Sequence, residues 1–137
     1  MVYVRRTWTI REIRDLVERK LRKRPCWFQI KIALAIYEKK DVVGTAATGS
    51  GKTLSFWIAL LMVLEDGEDM MEAIITPLNI LGKQTISDLG AADVNAIAVS
   101  KENANEQTFQ VIQEQNLLKC DLHVNSKPVS VCTRAHI

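Results

Sequence analysis

Apolar residues recur at intervals of three and four over the first part of the chain, which is the pattern of amphipathic helices. A first helix is predicted from the capping-box sequence at Thr9 to about Arg22. Beyond Pro25, the same spacing predicts a second helix that ends near Lys39. The apolar positions that carry the two predictions are Ile10, Ile13, Leu16, Val17 and Leu21, then Ile30, Ala33, Leu34 and Tyr37.

Short apolar runs follow, and they alternate with further helical patterns. Strands that alternate with helices are typical of a parallel, doubly wound α/β sheet. The pattern fades from about residue 116, so we interpret residues 1–115 as one domain and residues 116–137 as a divergent tail that need not be ordered. The predicted strands are 41–45, 73–76 and 96–99, and the predicted helices are 53–61, 78–89 and 105–115.

The segment after the first predicted strand combines two glycines, a lysine and a threonine, in the order Ala46-Ala47-Thr48-Gly49-Ser50-Gly51-Lys52-Thr53. Gly49 and Gly51 allow the backbone to curl so that successive N–H groups point toward an anion, and the following helix adds its positive end. Lys52 is placed to reach the β- and γ-phosphates, and Thr53 offers a hydroxyl to Mg²⁺. The segment therefore predicts a P-loop that binds a nucleoside triphosphate.

Charge is distributed unevenly along the chain. Residues 1–40 carry twelve Lys and Arg against four Asp and Glu, whereas residues 41–137 carry six against twelve. A basic end suits contact with nucleic acid and is equally consistent with the solvated face of an amphipathic helix. The N-terminus lacks the apolar stretch of a signal peptide and no long apolar run follows, so we expect an intracellular protein that does not enter the membrane.

The three cysteines are an odd number in a chain without an export signal, so we expect reduced thiols rather than disulfides. Cys120, His123, Cys132 and His136 have a spacing that resembles zinc ligands. The segment between the two pairs is short, and nothing around it has the pattern of a zinc finger's hairpin and helix. We therefore interpret this spacing as chance placement.

The P-loop and its surroundings resemble those of superfamily 2 helicases, the DEAD/DEAH-box and RecQ-like group. The loop has the form Ala-x-Thr-Gly-Ser-Gly-Lys-Thr, with Ala46 where the general P-loop pattern has glycine, and Asp41-Val42-Val43 resembles the motif I strand. The segment Ile75-Thr76-Pro77-Leu78, with Leu81 and Gln84 beyond it, resembles motif Ia of RecQ-like DNA helicases. The resemblance covers about residues 20–112.

This resemblance implies a P-loop NTPase with an incomplete RecA-like parallel sheet, helices on both faces and two helices before it. It implies ATP and Mg²⁺ as cofactors, single-stranded or forked DNA as the partner, and a nuclear location. Gln29 stands where the family reads the adenine edge, and Thr76 and Pro77 stand where it touches the DNA backbone. The implied cofactor-binding residues are Gln29, Thr48, Gly49, Ser50, Gly51, Lys52 and Thr53, and Thr53 is also the implied Mg²⁺ ligand.

The chain departs from the family pattern in ways that affect activity. Cys26 precedes Trp27 and Phe28 where RecQ-like proteins carry an arginine upstream of the glutamine, which leaves Trp27 or Phe28 as a candidate to stack on the base. The chain contains neither Asp-Glu-Ala-Asp nor Asp-Glu-x-His, and it lacks the second RecA-like domain with its arginine finger. We therefore identify no catalytic residue, and expect a truncated helicase portion that binds ATP without hydrolysing it alone.

Two other interpretations remain. The basic N-terminal helices could make the chain a non-catalytic module that binds nucleic acid or a protein. Alternatively, the P-loop could belong to an unrelated kinase or NTPase, which would require an acidic residue at the end of a strand, and Asp93 and Asp121 are loose candidates. An incomplete sheet would in addition leave an apolar edge open to a partner chain.

Overall fold

The computed structural model divides the chain into two compact units, one of residues up to Met70 and one of Met71–His136. The structure describes residues 6–68, 71–76, 86–92, 94–99, 103–114 and 129–134. The first unit contains helices α1 (Ile10–Leu21), α2 (Trp27–Tyr37) and α3 (Leu54–Glu65). The second contains strand β1 (Met71–Thr76), a helical segment at 86–90, strand β2 (Asn95–Val99), helix α4 (Glu106–Glu114) and strand β3 (Val129–Arg134).

Helix α1 begins and ends as its sequence predicts. Thr9 is the N-cap, and its side chain accepts a hydrogen bond from the Glu12 N–H while the Glu12 carboxylate accepts one from the Thr9 N–H at 2.8 Å. At the other end, Arg22 adopts the left-handed conformation with φ 54° and donates its N–H to the Glu18 carbonyl. The reciprocal capping bonds satisfy N–H groups that a helix start leaves without partners.

The capping box makes the stability of α1 sensitive to acid. Hydrogen bonds from Thr9, and then from Arg6, lower the pKa of Glu12 from 4.5 to about 2. Because this pKa is lowered in the folded chain, the stabilisation is fully present above pH 4.5 and is lost as the pH falls from 4.5 toward 2. We expect Glu12→Gln to lose less stability than the wild type over this interval in urea titrations followed by circular dichroism. Equal losses in both proteins would contradict this role for Glu12.

Helix α3 forms the centre of the first unit. Nine of its twelve residues are buried, and it packs against both α1 and α2. A helix that is apolar on all sides is expected to be enclosed by other elements. Ile13 and Val17 of α1 and Ile30 and Ala33 of α2 are all fully buried, as the helical spacing predicted.

Asp66, which caps the C-terminus of α3, connects three segments of the first unit. Its side chain is 8% exposed and accepts hydrogen bonds from the Trp8 indole N–H, at 3.3 Å, and from the Tyr37 hydroxyl. Arg6 lies within 4.0 Å of the same carboxylate and over the Trp8 ring. The residues before α1 are therefore held against the ends of α2 and α3 by a largely buried polar cluster.

The predicted strand at 41–45 is not formed. These residues have no regular secondary structure, and the side chains of Val42 and Val43 are 41% and 97% exposed. A strand requires a neighbour to receive its N–H and C=O groups, and the described part of the first unit contains no strand. The segment instead passes close to α2. A Cβ added at Gly44 would lie only 2.7 Å from Ile32 Cδ1.

The described strands form a sheet in the order β1-β3-β2, with both pairings antiparallel. β1 and β2 run in the same direction, as predicted, but they do not pair, because β3 lies between them and supplies their hydrogen-bond partners. Cys132 of β3 is opposite both Ala73 and Ile97. The prediction of a purely parallel sheet is therefore wrong for these strands, and the segment 116–137, which we expected to be a divergent tail, contributes the central one.

Elsewhere in the second unit, the side chain of Val99 is buried and packs against Ile97 and against Phe109 of α4. The predicted strands at 73–76 and 96–99 and the helix at 105–115 are confirmed within a few residues, while most of the predicted helix at 78–89 lies outside the described residues. In the part of the chain that the structure describes, no helix combines the length and apolar character needed to cross a membrane.

Candidate nucleotide-binding site

The glycine-rich loop that precedes α3 adopts the curled backbone that its sequence predicts. Gly49 and Gly51 have φ values of 81° and 73°, in the left-handed region that favours glycine. The Ser50 N–H donates to the Ala47 carbonyl at 3.2 Å, which closes a tight turn. α3 then begins immediately after Thr53, so the loop leads directly into the positive end of a helix dipole.

Lys52 is directed back across this loop. Its ammonium group donates hydrogen bonds to the carbonyls of Ala46 and Ala47 at 2.8 and 2.9 Å. The side chain therefore lies over the curled segment and does not extend freely into solvent. This position puts a positive charge beside the backbone N–H groups of the loop.

The donors of the loop fit an anionic ligand. Among hydrogen bonds between described residues, the N–H groups of Gly49, Gly51, Lys52 and Thr53 donate none to backbone carbonyls. Thr53 occupies the N-cap of α3, and its hydroxyl makes no capping hydrogen bond. N–H groups without backbone partners among the described residues, a lysine, and a hydroxyl that makes no capping bond match the needs of a polyphosphate with its Mg²⁺.

Gln29 anchors the loop from α2. The side chain is 6% exposed, and its amide nitrogen donates to the carbonyls of Gly51 and Ser50 at 2.8 and 3.3 Å. Its amide oxygen accepts from the Cys26 N–H at 2.9 Å, which completes a capping box at the start of α2. The structure therefore brings Gln29 to the P-loop and uses both halves of its amide within the protein.

The contact between Gln29 and the loop depends on glycine. A Cβ added at Gly51 would lie 2.7 Å from the Gln29 amide nitrogen, whereas one added at Gly49 would meet no atom within 4 Å. Both positions require positive φ, but only Gly51 is also constrained by a neighbour. The two glycines therefore have different roles: Gly49 permits the turn, and Gly51 permits close approach of α2.

The structure brings the other predicted residues together only in part. Thr48 is exposed in the turn, and the hydroxyl of Ser50 is buried without a hydrogen-bond partner in the described structure. Trp27, a candidate for stacking on a base, is 53% exposed at the start of α2. Thr76 is the last residue of β1 in the other unit, and Pro77 lies outside the described residues.

Sequence reasoning missed the structural role of Gln29. Cys26 and Gln29 have the spacing of a capping box with cysteine in place of serine or threonine, so the signal was present in the sequence. The contacts of Gln29 with Ser50 and Gly51 had no such signal, because they join residues that are distant in the chain. Cys120, His123 and His136, three of the four residues with zinc-like spacing, lie outside the described residues.

The loop, its lysine and the helix behind it have the conformation of a P-loop. Comparison with known families identifies the kind of P-loop protein. The sequence profile of the DEAD/DEAH box helicases matches residues 27–127. The chain belongs to the DEAD/DEAH box helicase family, whose P-loop lies in a RecA-like fold and which uses ATP. The interpretation as an unrelated P-loop kinase is therefore wrong.

Three similar proteins are pre-mRNA-processing ATP-dependent RNA helicases. PRP5 of Chaetomium globosum is 36% identical over 104 residues, which cover 69% of this chain and 10% of the relative. The Neurospora crassa protein prp-5 is 36% identical over 85 residues, which cover 58% of this chain and 7% of the relative. Debaryomyces hansenii PRP5 is 34% identical over 84 residues, which cover 56% of this chain and 9% of the relative.

The chain thus spans at most a tenth of the length of these curated relatives. No solved structure matches it. The relatives are RNA helicases by name, so the comparisons support a helicase but not the RecQ-like DNA helicase subtype that motif Ia suggested.

Proposed function

We propose that this chain is the ATP-binding portion of an RNA helicase and that it binds ATP with Mg²⁺ at the P-loop. The observation that carries the proposal is the position of the Lys52 ammonium, held across a loop whose Gly51, Lys52 and Thr53 N–H groups have no backbone partner among the described residues. This arrangement supplies several donors to one polyphosphate without a large rearrangement of the backbone.

The roles of the residues follow from their chemistry. Lys52 would release the carbonyls of Ala46 and Ala47 and pair with the β- and γ-phosphates, where its hydrogen bonds become charge-assisted at both ends. The loop N–H groups would hold the phosphate oxygens. Thr53 would offer its hydroxyl to Mg²⁺, which when bound neutralises phosphate charge.

Gln29 has two proposed roles. The resemblance assigns it to the adenine edge, which its amide could pair with on two sides. The observed hydrogen bonds to Cys26, Ser50 and Gly51 favour a role in holding the loop. Adenine contact would require at least one of these bonds to be exchanged, so we place loop support first.

We propose RNA as the nucleic acid, since the relatives of this chain are named as RNA helicases, and a nuclear location, since they are named for pre-mRNA processing. Thr76, at the end of β1, would donate to the backbone of the nucleic acid together with the segment at Pro77. The second candidate is single-stranded or forked DNA, which is favoured by the motif Ia sequence Ile75-Thr76-Pro77-Leu78.

We propose further that the chain does not hydrolyse ATP by itself. The sequence contains neither Asp-Glu-Ala-Asp nor Asp-Glu-x-His. The carboxylates with which this family holds Mg²⁺ and orients the attacking water are therefore not supplied. Phosphoryl transfer depends on such electrostatic positioning, and an arginine finger alone contributes about 10³–10⁵ in rate.

The test is to measure binding of a fluorescent ATP analogue to the purified chain with and without Mg²⁺, and ATP turnover with and without oligouridine RNA. We expect Mg²⁺-dependent binding and no turnover above the rate without protein. Absence of binding by a chain that is folded by circular dichroism would contradict the proposal. RNA-stimulated turnover would instead overturn the statement that the hydrolytic groups are missing.

A further inference from the structure

A cavity that contains three arginines and is open to solvent lies along α1 and the segment that follows it, upstream of the residues matched by the helicase profile. It has a volume of about 580 Å³ and is lined by Ile10, Arg11, Arg14, Asp15, Glu18 and Arg24. This volume falls within the range of about 300–1,000 Å³ that is typical of ligand pockets. The P-loop residues 46–53 are not among those that line it, so the cavity is separate from the nucleotide site.

The three arginines of this cavity make no ion pair or hydrogen bond with another described residue, whereas Arg6 and Arg19 of the same unit are paired with Glu12 and Glu65. In Arg14 the Nε atom is also buried, and it has no hydrogen-bond partner in the described structure. A buried donor without a partner is costly, so the Arg14 guanidinium would gain from an acceptor that a ligand supplies to its other nitrogens.

The cavity contains both arginines and carboxylates, which together limit the chemical groups that its ligand can carry. Guanidinium groups match the oxygen geometry of phosphate and bind it through paired hydrogen bonds. Asp15 and Glu18 would repel a bare phosphate, but they can accept a hydrogen bond from a neighbouring hydroxyl. A ligand that carries a phosphate beside a hydroxyl group satisfies both sets of side chains, and the ribose-phosphate backbone of RNA has this composition.

We propose that the Arg11, Arg14 and Arg24 cavity binds the RNA backbone, with the arginines on phosphate and with Asp15 and Glu18 on the ribose 2′-hydroxyl. This inference rests on the proposed function insofar as it names the nucleic acid of the same protein. It assigns part of the excess positive charge of residues 1–40 to a defined site. It also places the choice between RNA and DNA outside the P-loop.

The experiment measures binding of fluorescent oligouridine RNA to the complete chain by anisotropy at several salt concentrations, without ATP. In the variant with Arg11, Arg14 and Arg24 all changed to Gln, we expect at least tenfold weaker binding. The slope of log affinity against log salt should become shallower by about 0.7 for each phosphate no longer contacted. The control changes Lys20, Arg22 and Lys40 to Gln, which removes the same charge outside the cavity, and should weaken binding less than threefold.

Discrimination between RNA and DNA gives a second measurement. We expect the wild type to bind oligouridine about three- to tenfold more tightly than oligodeoxyuridine of equal length, the effect of one hydrogen bond to the 2′-hydroxyl. Changing Asp15 and Glu18 to Ala should bring the two affinities together without weakening DNA binding. An unchanged preference in this variant would overturn the role of the carboxylates, and equal binding of RNA and DNA by the wild type would overturn the assignment to RNA.

Two further outcomes separate this inference from the proposed function. Equal losses in the cavity variant and in its charge-matched control would show that only net charge matters, and would overturn the cavity as a site. The cavity variant should keep wild-type ATP binding and a wild-type thermal unfolding midpoint. Loss of RNA binding with ATP binding intact supports the cavity, whereas a wild type that binds RNA but not ATP contradicts only the P-loop proposal.

Discussion

The Lys52→Ala variant is expected to bind ATP about 10- to 150-fold more weakly than the wild-type chain. A hydrogen bond to a charged group contributes about 1.5–3 kcal/mol, and each 1.4 kcal/mol corresponds to about a factor of ten in affinity. The loss should be largest for ATP and ADP and small for AMP, because the lysine is assigned to the β- and γ-phosphates. Isothermal titration calorimetry with the three nucleotides measures the difference.

Lys40→Ala is the matched control for this prediction. Lys40 is exposed and pairs only with Glu38 among the described residues, so its loss removes one positive charge close to the loop in sequence without touching the loop. We expect its ATP affinity to stay within about twofold of wild type. An AMP affinity that falls as much as the ATP affinity in Lys52→Ala would show instead that the lysine only maintains the loop through Ala46 and Ala47.

The Gln29→Ala variant is expected to lose about 1–3 kcal/mol of unfolding free energy, because it removes a buried side chain and its part-buried hydrogen bonds with Cys26, Ser50 and Gly51. Urea titration followed by circular dichroism measures this loss. Since the loop would lose its connection to α2, binding of ATP and GTP should weaken by similar factors. This outcome distinguishes support of the loop from recognition of adenine.

Gln29→Glu sharpens the same test. The glutamate can still accept from the Cys26 N–H, but at neutral pH its carboxylate faces the carbonyls of Ser50 and Gly51 instead of donating to them. We expect it to be at least as destabilising as Gln29→Ala. A loss of ATP binding with GTP binding and stability unchanged, in either variant, would establish adenine recognition and refute the anchoring role.

Local patterns in the sequence were sufficient to predict most elements of this chain. The capping box at Thr9 and Glu12 predicted the start of α1, because the bonds that form it join residues within one turn. The P-loop conformation followed from Gly49 and Gly51, because few other residues adopt positive φ without cost. The cluster around Asp66 had no local signal, since its partners Trp8 and Tyr37 lie far away in the chain.

The sequence by itself therefore determined the helices α1 to α4, the backbone conformation of the glycine-rich loop and the DEAD/DEAH box helicase family, which all depend on neighbouring residues. Only the tertiary structure decided which groups meet. It joined Gln29 to the carbonyls of Ser50 and Gly51, left Val43 exposed where a buried strand was predicted, and placed β3 between β1 and β2. These outcomes depend on partners that are distant in sequence, because a strand or a buried amide is stable only where another segment completes its hydrogen bonds.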